Sequence, residues 1–529
     1  MRILLPVAAI LIWTAPVVAD DYERQPGIDV LHYEIALELT DSNDSIVGTT
    51  RLRVAARQSG LSSMWLDFDG MAVDSFSVDG SGSQHDMRAG RLHFSLGRPR
   101  AAGETLLIEV RYHGELRKRG LQVAADRAGK RAFFAENWPD NAHHWFPCID
   151  HPSDKASVEF QITAPAHYEV VANGSFEERR TASGERAISH WYERTPIPTY
   201  CMVIAAAEYT VRRSDSTAKV PLSYYFYPAD TDAAAFKFAR TDKVLNYFAA
   251  TIASYPYEKL AQLETTTPLG GMENAGAIFY SEGGFRSDAR IEAPVPHEIA
   301  HQWFGDSVTE GDWDHLWLSE GFATYLDALF YEYADGEEAF QHIMGRAADT
   351  AMKYMRNHPD PVINPAMKDI SRKLNPLNYE KGAWILHMLR KIVGDQRFFE
   401  GLRQYYAKFA GKNALTEDFQ RVMEAETGEA LGWFFDEWLL RPGWPAYKVR
   451  WSWLPKSQEV GMTVTQSPKA APFDMPVAVE IRCGDRRELR TLRIFKASQE
   501  IRIPATCKPT SLTLDPGGWV LKTADIRPR

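Results

Sequence analysis

His297-Glu298-Ile299-Ala300-His301, followed after eighteen residues by Glu320 in Leu316-Trp317-Leu318-Ser319-Glu320-Gly321-Phe322-Ala323, is the stretch on which the reading of this chain turns. On a helix, residues four apart share a face, so both imidazoles reach one ion. Pro296 suits a first helical turn, where its missing N–H costs nothing. Glu298 is rotated by one residue from His297. There it can touch a metal-held water without being a ligand, which is the two-histidine zinc motif with its general base. With 15 His in 529 residues, the pattern alone is only suggestive, and two satisfied surface histidines compete with it. Glu320 sharpens the case, because a catalytic zinc takes three protein ligands and leaves a position for water. The intervening segment is long enough to finish one helix, turn through Gly305 to Gly311, and return alongside. Leu316, Trp317, Leu318 and Phe322 make the surroundings of Glu320 apolar, which disfavours a solvated charge. Asp327, seven residues further on the same face, is either an orienter of a ligand histidine or a plain surface carboxylate.

Around this centre the patterning changes twice. Residues 27–210 read as strands, as in His32-Tyr33-Glu34-Ile35-Ala36-Leu37-Glu38-Leu39, where apolar and polar residues alternate. Ala233–Ile252 and the segments 297–306, 314–334, 377–393 and 416–440 carry helical periodicity. After Arg441-Pro442-Gly443-Trp444-Pro445 the strand patterns return. The chain is too long for one core. The expected organisation is multidomain α+β: an N-terminal antiparallel β domain over 20–210, a catalytic domain over 211–440, and a small C-terminal β-sandwich over 441–529.

Composition narrows the function classes. The formal net charge is −10 and no Lys/Arg-rich run stands out, which excludes nucleic acid as an expected partner. Arg2, the apolar stretch Ile3–Ile12 and the small residues before Asp20 read as a signal peptide over 1–19, cleaved near Ala19. The apolar run is short for a bilayer span, and the mature form is expected to carry no stable membrane span. A secreted or periplasmic location follows. Cys483 and Cys507 lie in one strand-rich tail and could pair; four buried thiols, counting Cys148 and Cys201, are the alternative.

With these residues in place, the chain resembles the aminopeptidase N family of gluzincin zinc peptidases, which includes leukotriene hydrolase. The resemblance rests on His297 to His301 with Glu320, on Gly270-Gly271-Met272-Glu273-Asn274-Ala275-Gly276 upstream, on Tyr379-Glu380-Lys381-Gly382 downstream, and on Phe146-Pro147-Cys148-Ile149-Asp150-His151-Pro152. It implies a thermolysin-like α/β catalytic domain and one Zn2+ per chain, held by His297, His301 and Glu320. It implies Glu298 as general base and Tyr379 as hydrogen-bond donor to the developing oxyanion. It implies that Gly270, Gly271, Met272, Glu273 and Asn274 bind peptide substrates with a free N-terminus, Glu273 gripping the amine. The chemistry is consistent: zinc lowers the pKa of bound water towards ~7, and an uncovered glycine edge suits an added peptide strand. Two departures stand out. Ser319 replaces the usual Asn before the ligand glutamate and should change only local hydrogen bonding. The position of a second amine-binding residue falls at Trp138, leaving Glu136, Asn137 or none in that role. The resemblance further implies a short member lacking the helical C-terminal domain of many relatives. The competing functions are another zinc hydrolase of this family, acting as an epoxide hydrolase or endopeptidase, and a catalytically silent peptide-binding protein.

Overall fold

Ile28–Glu38 buries Val30, Tyr33, Ile35 and Leu37. A bulge between Val30 and His32 restores the inward phase from Tyr33 onward. The strand pairs antiparallel with Ser45–Ala56 and parallel with Lys155–Pro165, inside an eight-stranded sheet. That parallel pair interrupts an otherwise antiparallel ladder. The computed structural model describes residues 20–286, 294–466 and 471–529, so the expected signal peptide lies outside the described residues. A four-stranded sheet containing Arg131–Glu136 and a three-stranded sheet containing Leu61–Asp67 complete a β-rich N-terminal region.

A five-stranded mixed sheet positions the site. Its order runs Thr210–Asp215, Pro221–Phe226, Leu260–Thr265, Ala277–Ser281, Gly271–Met272. Alternate side chains point to opposite faces of a sheet. Leu222, Leu260, Ile278 and Tyr280 therefore join a core shared with the helices. Tyr225, Leu263, Met272 and Phe279 join the core of the N-terminal sheets. The short Gly271–Met272 strand is left at the edge, paired antiparallel through Gly271 with Tyr280 and Met272 with Phe279.

The helical region packs against the first face. The segment expected as helix over 297–306 is a helix over Val295–His301. It stops because Gly305 takes a φ of 130° and the chain re-forms as the strand Val308–Glu310. The helix Trp317–Asp335 then returns alongside. The expected helix over 377–393 begins as a π turn, Leu377–Lys381, before Gly382–Val393 becomes regular. The expected helix over 416–440 breaks at Gly428, whose φ is 69°, into Thr416–Thr427 and Gly432–Leu439. Ala233–Ile252 likewise divides into Thr231–Lys237 and Thr241–Thr251. Two long helices not singled out from the sequence, Glu337–Asn357 and Asp395–Phe409, complete this region.

Beyond Leu439 the chain forms a four-stranded and a three-stranded sheet. Val449, Val464, Val477 and Ile481 join them to the helical core. Cys483 and Cys507 form a disulfide, whereas Cys148 and Cys201 are free and buried. Among the described residues no helix is long and apolar enough to cross a membrane.

Candidate active site

The Val295–His301 helix places His297 and His301 on one face. Their Nε2 atoms are 3.1 Å apart, and Glu320 Oε2 lies 3.3 Å and 3.4 Å from them. Three ligand atoms bonded at about 2.0–2.2 Å in a tetrahedral arrangement stand about 3.3 Å from one another, so this triangle has the size a small divalent ion requires. The donor set carries a second sign. Glu320 Oε2 is buried and accepts no hydrogen bond, an arrangement that is costly unless a cation completes it. Burial raises the Glu320 carboxyl, but His297 and His301 outweigh it and hold it at about 2. The carboxylate thus stays ionised, as a ligand must be.

The orientation of His301 is set from behind. Its Nδ1 meets the Phe304 carbonyl at 3.2 Å and Ser319 Oγ at 2.9 Å, which leaves Nε2 facing the triangle. A side chain at Gly305 would stand 2.6 Å from Ser319 Oγ and 2.9 Å from His301 Nδ1. The loop that ends the helix therefore needs glycine both for its φ and for this approach. Ser319, read from sequence as a minor departure, touches a ligand histidine directly. Asp327 lines a cavity onto which the triangle opens, and the contacts that orient His301 come from Ser319 and Phe304.

Tyr379 arrives on the π turn, a distortion common at functional sites. Its hydroxyl donates to Glu320 Oε1 at 2.6 Å, and its ring stacks on His297 at 5.9 Å. What permits this is a contact between two glycines. A Cβ on Gly321 would stand 2.9 Å from the Gly382 Cα, and the reverse is equally true. The two helices touch backbone to backbone beside Glu320.

The edge strand closes the other side. Glu298 and Glu273 are buried, and Gly271 packs directly onto the Glu298 carboxylate: a Cβ there would lie 2.5 Å from Cδ and 2.9 Å from Cγ. Burial pushes the Glu298 carboxyl well above the usual carboxylate range, with His301 opposing and Glu273, Glu320 and Asp306 reinforcing. Glu273 is raised by burial, again with His301 opposing. One amide braces this loop to the metal-motif helix. Gln302 Nε2 donates to the Glu273 carbonyl at 2.7 Å and to Asp306 Oδ2 at 2.8 Å, while Oε1 accepts the Gly276 N–H at 2.8 Å and the Tyr255 hydroxyl at 3.1 Å. No sequence signal marks Gln302 beyond its place after His301.

His297, Glu298, His301, Glu320, Tyr379 and Glu273 open on one cavity of about 820 Å³, lined also by Trp138 and Gly270 to Met272 among others. Asn274, expected to bind substrate, is fully buried and does not line this cavity. Of the three residues weighed for a second amine contact, only Trp138 reaches the cavity wall. Glu136 turns back to accept a bond from Thr267 Oγ1 at 2.5 Å, and Asn137 donates to the Met202 carbonyl at 2.7 Å.

Residues 236–438 match the peptidase family M1 domain and residues 30–201 the peptidase M1 N-terminal domain. Aminopeptidase A of Gloydius brevicauda is 29% identical over 371 residues, covering 65% of this chain and 37% of that protein. Glutamyl aminopeptidase of Rattus norvegicus is 28% identical over 328 residues, covering 59% and 34% respectively. Probable aminopeptidase 2 of Sulfurisphaera tokodaii is 25% identical over 432 residues, covering 78% and 54%. The matched stretch of this chain thus spans between a third and about half the length of these relatives.

Proposed function

We propose that this chain, which belongs to the peptidase M1 family, is a zinc-dependent aminopeptidase that removes single residues from peptides with a free N-terminus. The observation that carries the reading is the convergence of His297, His301, Glu320, Glu298 and Glu273 on one cavity beside a strand that is, among the described residues, at the edge of its sheet.

His297, His301 and Glu320 would hold one zinc ion, whose Lewis acidity makes water a competent nucleophile at neutral pH. Glu298 accepts that water's proton and delivers it to the leaving amine. Burial raises its proton affinity, which favours its accepting that proton. The Tyr379 hydroxyl, held in place by Glu320 before substrate arrives, turns its hydrogen bond to the developing oxyanion. The backbone of Gly271–Met272 pairs with the substrate as an added strand, and Gly270 leaves that edge uncovered. Glu273 receives the substrate's α-ammonium, so a peptide blocked at that nitrogen loses its strongest orienting contact.

The same reading extends to a thermolysin-like catalytic fold, a C-terminal β-sandwich, and secretion to an oxidising compartment after cleavage near Ala19. The Cys483–Cys507 disulfide supports that compartment.

The test is a matched pair of peptides, free and N-acetylated, assayed before and after chelation and zinc resupply. Cleavage of the free peptide alone, lost on chelation and regained with zinc, is expected. Equal cleavage of both forms would remove the aminopeptidase assignment in favour of an endopeptidase. Glu298→Gln is expected to keep stoichiometric zinc while turnover falls by about 10³-fold or more. A catalytically silent peptide-binding protein would show no turnover in either form.

A further inference from the structure

The residues ahead of the first strand have no regular structure, yet they are bonded on both sides. Tyr22 donates its hydroxyl to Asp67 Oδ2 at 2.5 Å and stacks on His151 at 4.6 Å. Gln25 exchanges two hydrogen bonds with the Trp65 backbone, at 2.8 Å and 3.1 Å. Arg24 instead reaches the catalytic region. It donates to the Gly311 carbonyl at 3.1 Å, on the connection between the two metal-site helices. Asp20 joins both regions, because its Oδ2 accepts from His151 Nε2 at 2.9 Å and from the Trp313 N–H at 3.2 Å. His151 carries its proton on Nε2, since its Nδ1 accepts the Ser153 N–H at 3.1 Å.

The backbone nitrogen of Asp20 is the unusual atom. It donates to Asp312 Oδ2 at 2.9 Å. Asp312 is buried, and its other oxygen caps the short turn Trp313–His315 through the Asp314 N–H at 2.9 Å. The bond between Ala19 and Asp20 is also the one expected to be cut by a leader peptidase. Hydrolysis there puts hydroxyl on the Ala19 carbonyl carbon and frees the Asp20 nitrogen as an amine, which takes up a proton. An α-amino group has an ordinary pKa of about 7.7–8.0, so it is mostly charged at pH 7. The new ammonium is thus formed in contact with a buried carboxylate.

The surroundings lack one positive charge. Asp20 and Asp312 share the Arg24 guanidinium, at 3.0 Å and 3.4 Å. The neighbouring Asp314 and Asp21 have their own partners, Lys373 at 2.5 Å and Lys368 at 2.7 Å. Burial lowers the His151 pKa, so this ring donates as a neutral group. Among the described residues, two carboxylates therefore bond one guanidinium until the Asp20 nitrogen is charged. What the pair holds in place matters for the site. The turn Trp313–His315 leads into the helix that carries Glu320, and the Trp313 ring meets Trp138, on the cavity wall, edge-on at 5.8 Å.

We propose that Asp312 is an ammonium-binding site whose ligand is the chain's own α-ammonium, created by cleavage between Ala19 and Asp20. Processing then locks the connection between the metal-site helices and keeps the new terminus out of reach of aminopeptidases. The proposal rests on the cleavage near Ala19 given above and is independent of the zinc chemistry.

The test starts from the exported full-length precursor. N-terminal sequencing of the purified mature chain is expected to begin at Asp20, and any other first residue overturns the proposal. Inserting Gly-Ser between Ala19 and Asp20 then moves the ammonium away while keeping every side chain and the Asp20 N–H. Asp312→Asn keeps the cap on Asp314 and removes the charge. Glu298→Gln is carried in all four chains, with and without each change, so that none can trim itself. The extension is expected to lower Tm by about 2–5 °C beside Asp312 and by about 1 °C or less beside Asn. Equal falls in the two backgrounds overturn the proposal. A second measurement does not need the Asp312 variant: an unrelated broad-specificity aminopeptidase is added and the chain mass followed. The unextended chain should keep Asp20 under conditions that strip the extended one, and equal trimming of both overturns the proposal. A terminus held at Asp20 in a protein whose wild type cleaves no unblocked peptide would support this site while removing the aminopeptidase reading.

Discussion

Gly271→Ala is the sharpest perturbation of the proposed mechanism, because it adds one methyl group and no chemistry. The backbone of Gly271 is ordinary strand, paired with Tyr280, so alanine meets no conformational penalty there. The cost is steric. The new Cβ would stand 2.5 Å from the Glu298 carboxyl carbon and 2.9 Å from Cγ, with Oε1 nearer still. Carbon atoms rest at about 3.5–4.0 Å, so the Glu298 carboxyl must retreat by about 1 Å. Misplacement of a catalytic group by about 1 Å costs about 10²-fold in rate, and overpacking of this kind costs about 1–3 kcal/mol of stability. The expected result is therefore a kcat down by about 10²-fold on an aminoacyl amide, at full zinc occupancy and with a modest fall in Tm. Gly270→Ala supplies the contrast: nothing lies within 4 Å of a Cβ at that position, so its effect should fall on KM as the cavity narrows. A Gly271→Ala enzyme with kcat within twofold of wild type and zinc retained would refute the placement of Glu298 as the base.

Three further outcomes are expected. Tyr379→Phe removes the hydroxyl that donates to Glu320 Oε1 at 2.6 Å, so kcat should fall by about 10²–10³-fold with KM little changed, as read by steady-state kinetics. Gly321→Ala drives a methyl group to 2.9 Å from the Gly382 Cα and parts the two helices, so both Tm and kcat should drop, whereas a substitution on the exposed Tyr333 face should move neither. Burial lifts the Glu136 carboxyl from an ordinary 4.5 to about 7, with Thr267 opposing and Glu273 reinforcing, so the native state holds this proton more tightly than the unfolded chain. That contribution is full below about pH 4.5 and is lost as pH rises through 7, by about 3 kcal/mol at most. Glu136→Gln should therefore lessen the fall of the urea midpoint between pH 5 and pH 8, and an unchanged fall would show that Glu136 is not the group responsible.

How much of this was legible in the sequence divides along a physical line. Spacing along one helix is local, so the shared face of His297 and His301, and the apolar setting of Glu320, could be read directly. Strand alternation was local too, and bulges such as those near Val30 and Ala156 shifted its phase. The breaks at Gly305 and Gly428 were missed because a helical stripe continues past a glycine in sequence even when its backbone turns left-handed. The helix Glu337–Asn357 was overlooked although Phe340, Met344, Ala347 and Ala351 form a stripe, because alanine dilutes its apolar signal. Contacts between distant segments had no local trace at all. The Gly321–Gly382 touch and the bond from Ser319 to His301 exist only once the chain has folded.

The brace made by Gln302 has a consequence of its own. Its single amide spans the loop that carries Glu273 and the helix that carries the histidines, bonded on both of its polar atoms. A caliper works because its jaws share a frame, and on the proposed reading those jaws are the ammonium clamp and the metal triangle. The cleavage register is then built in before any peptide docks, whichever side chain the first residue bears. Each turnover would expose a fresh terminus that fits the same gap, so a long peptide would be shortened stepwise, one residue at a time.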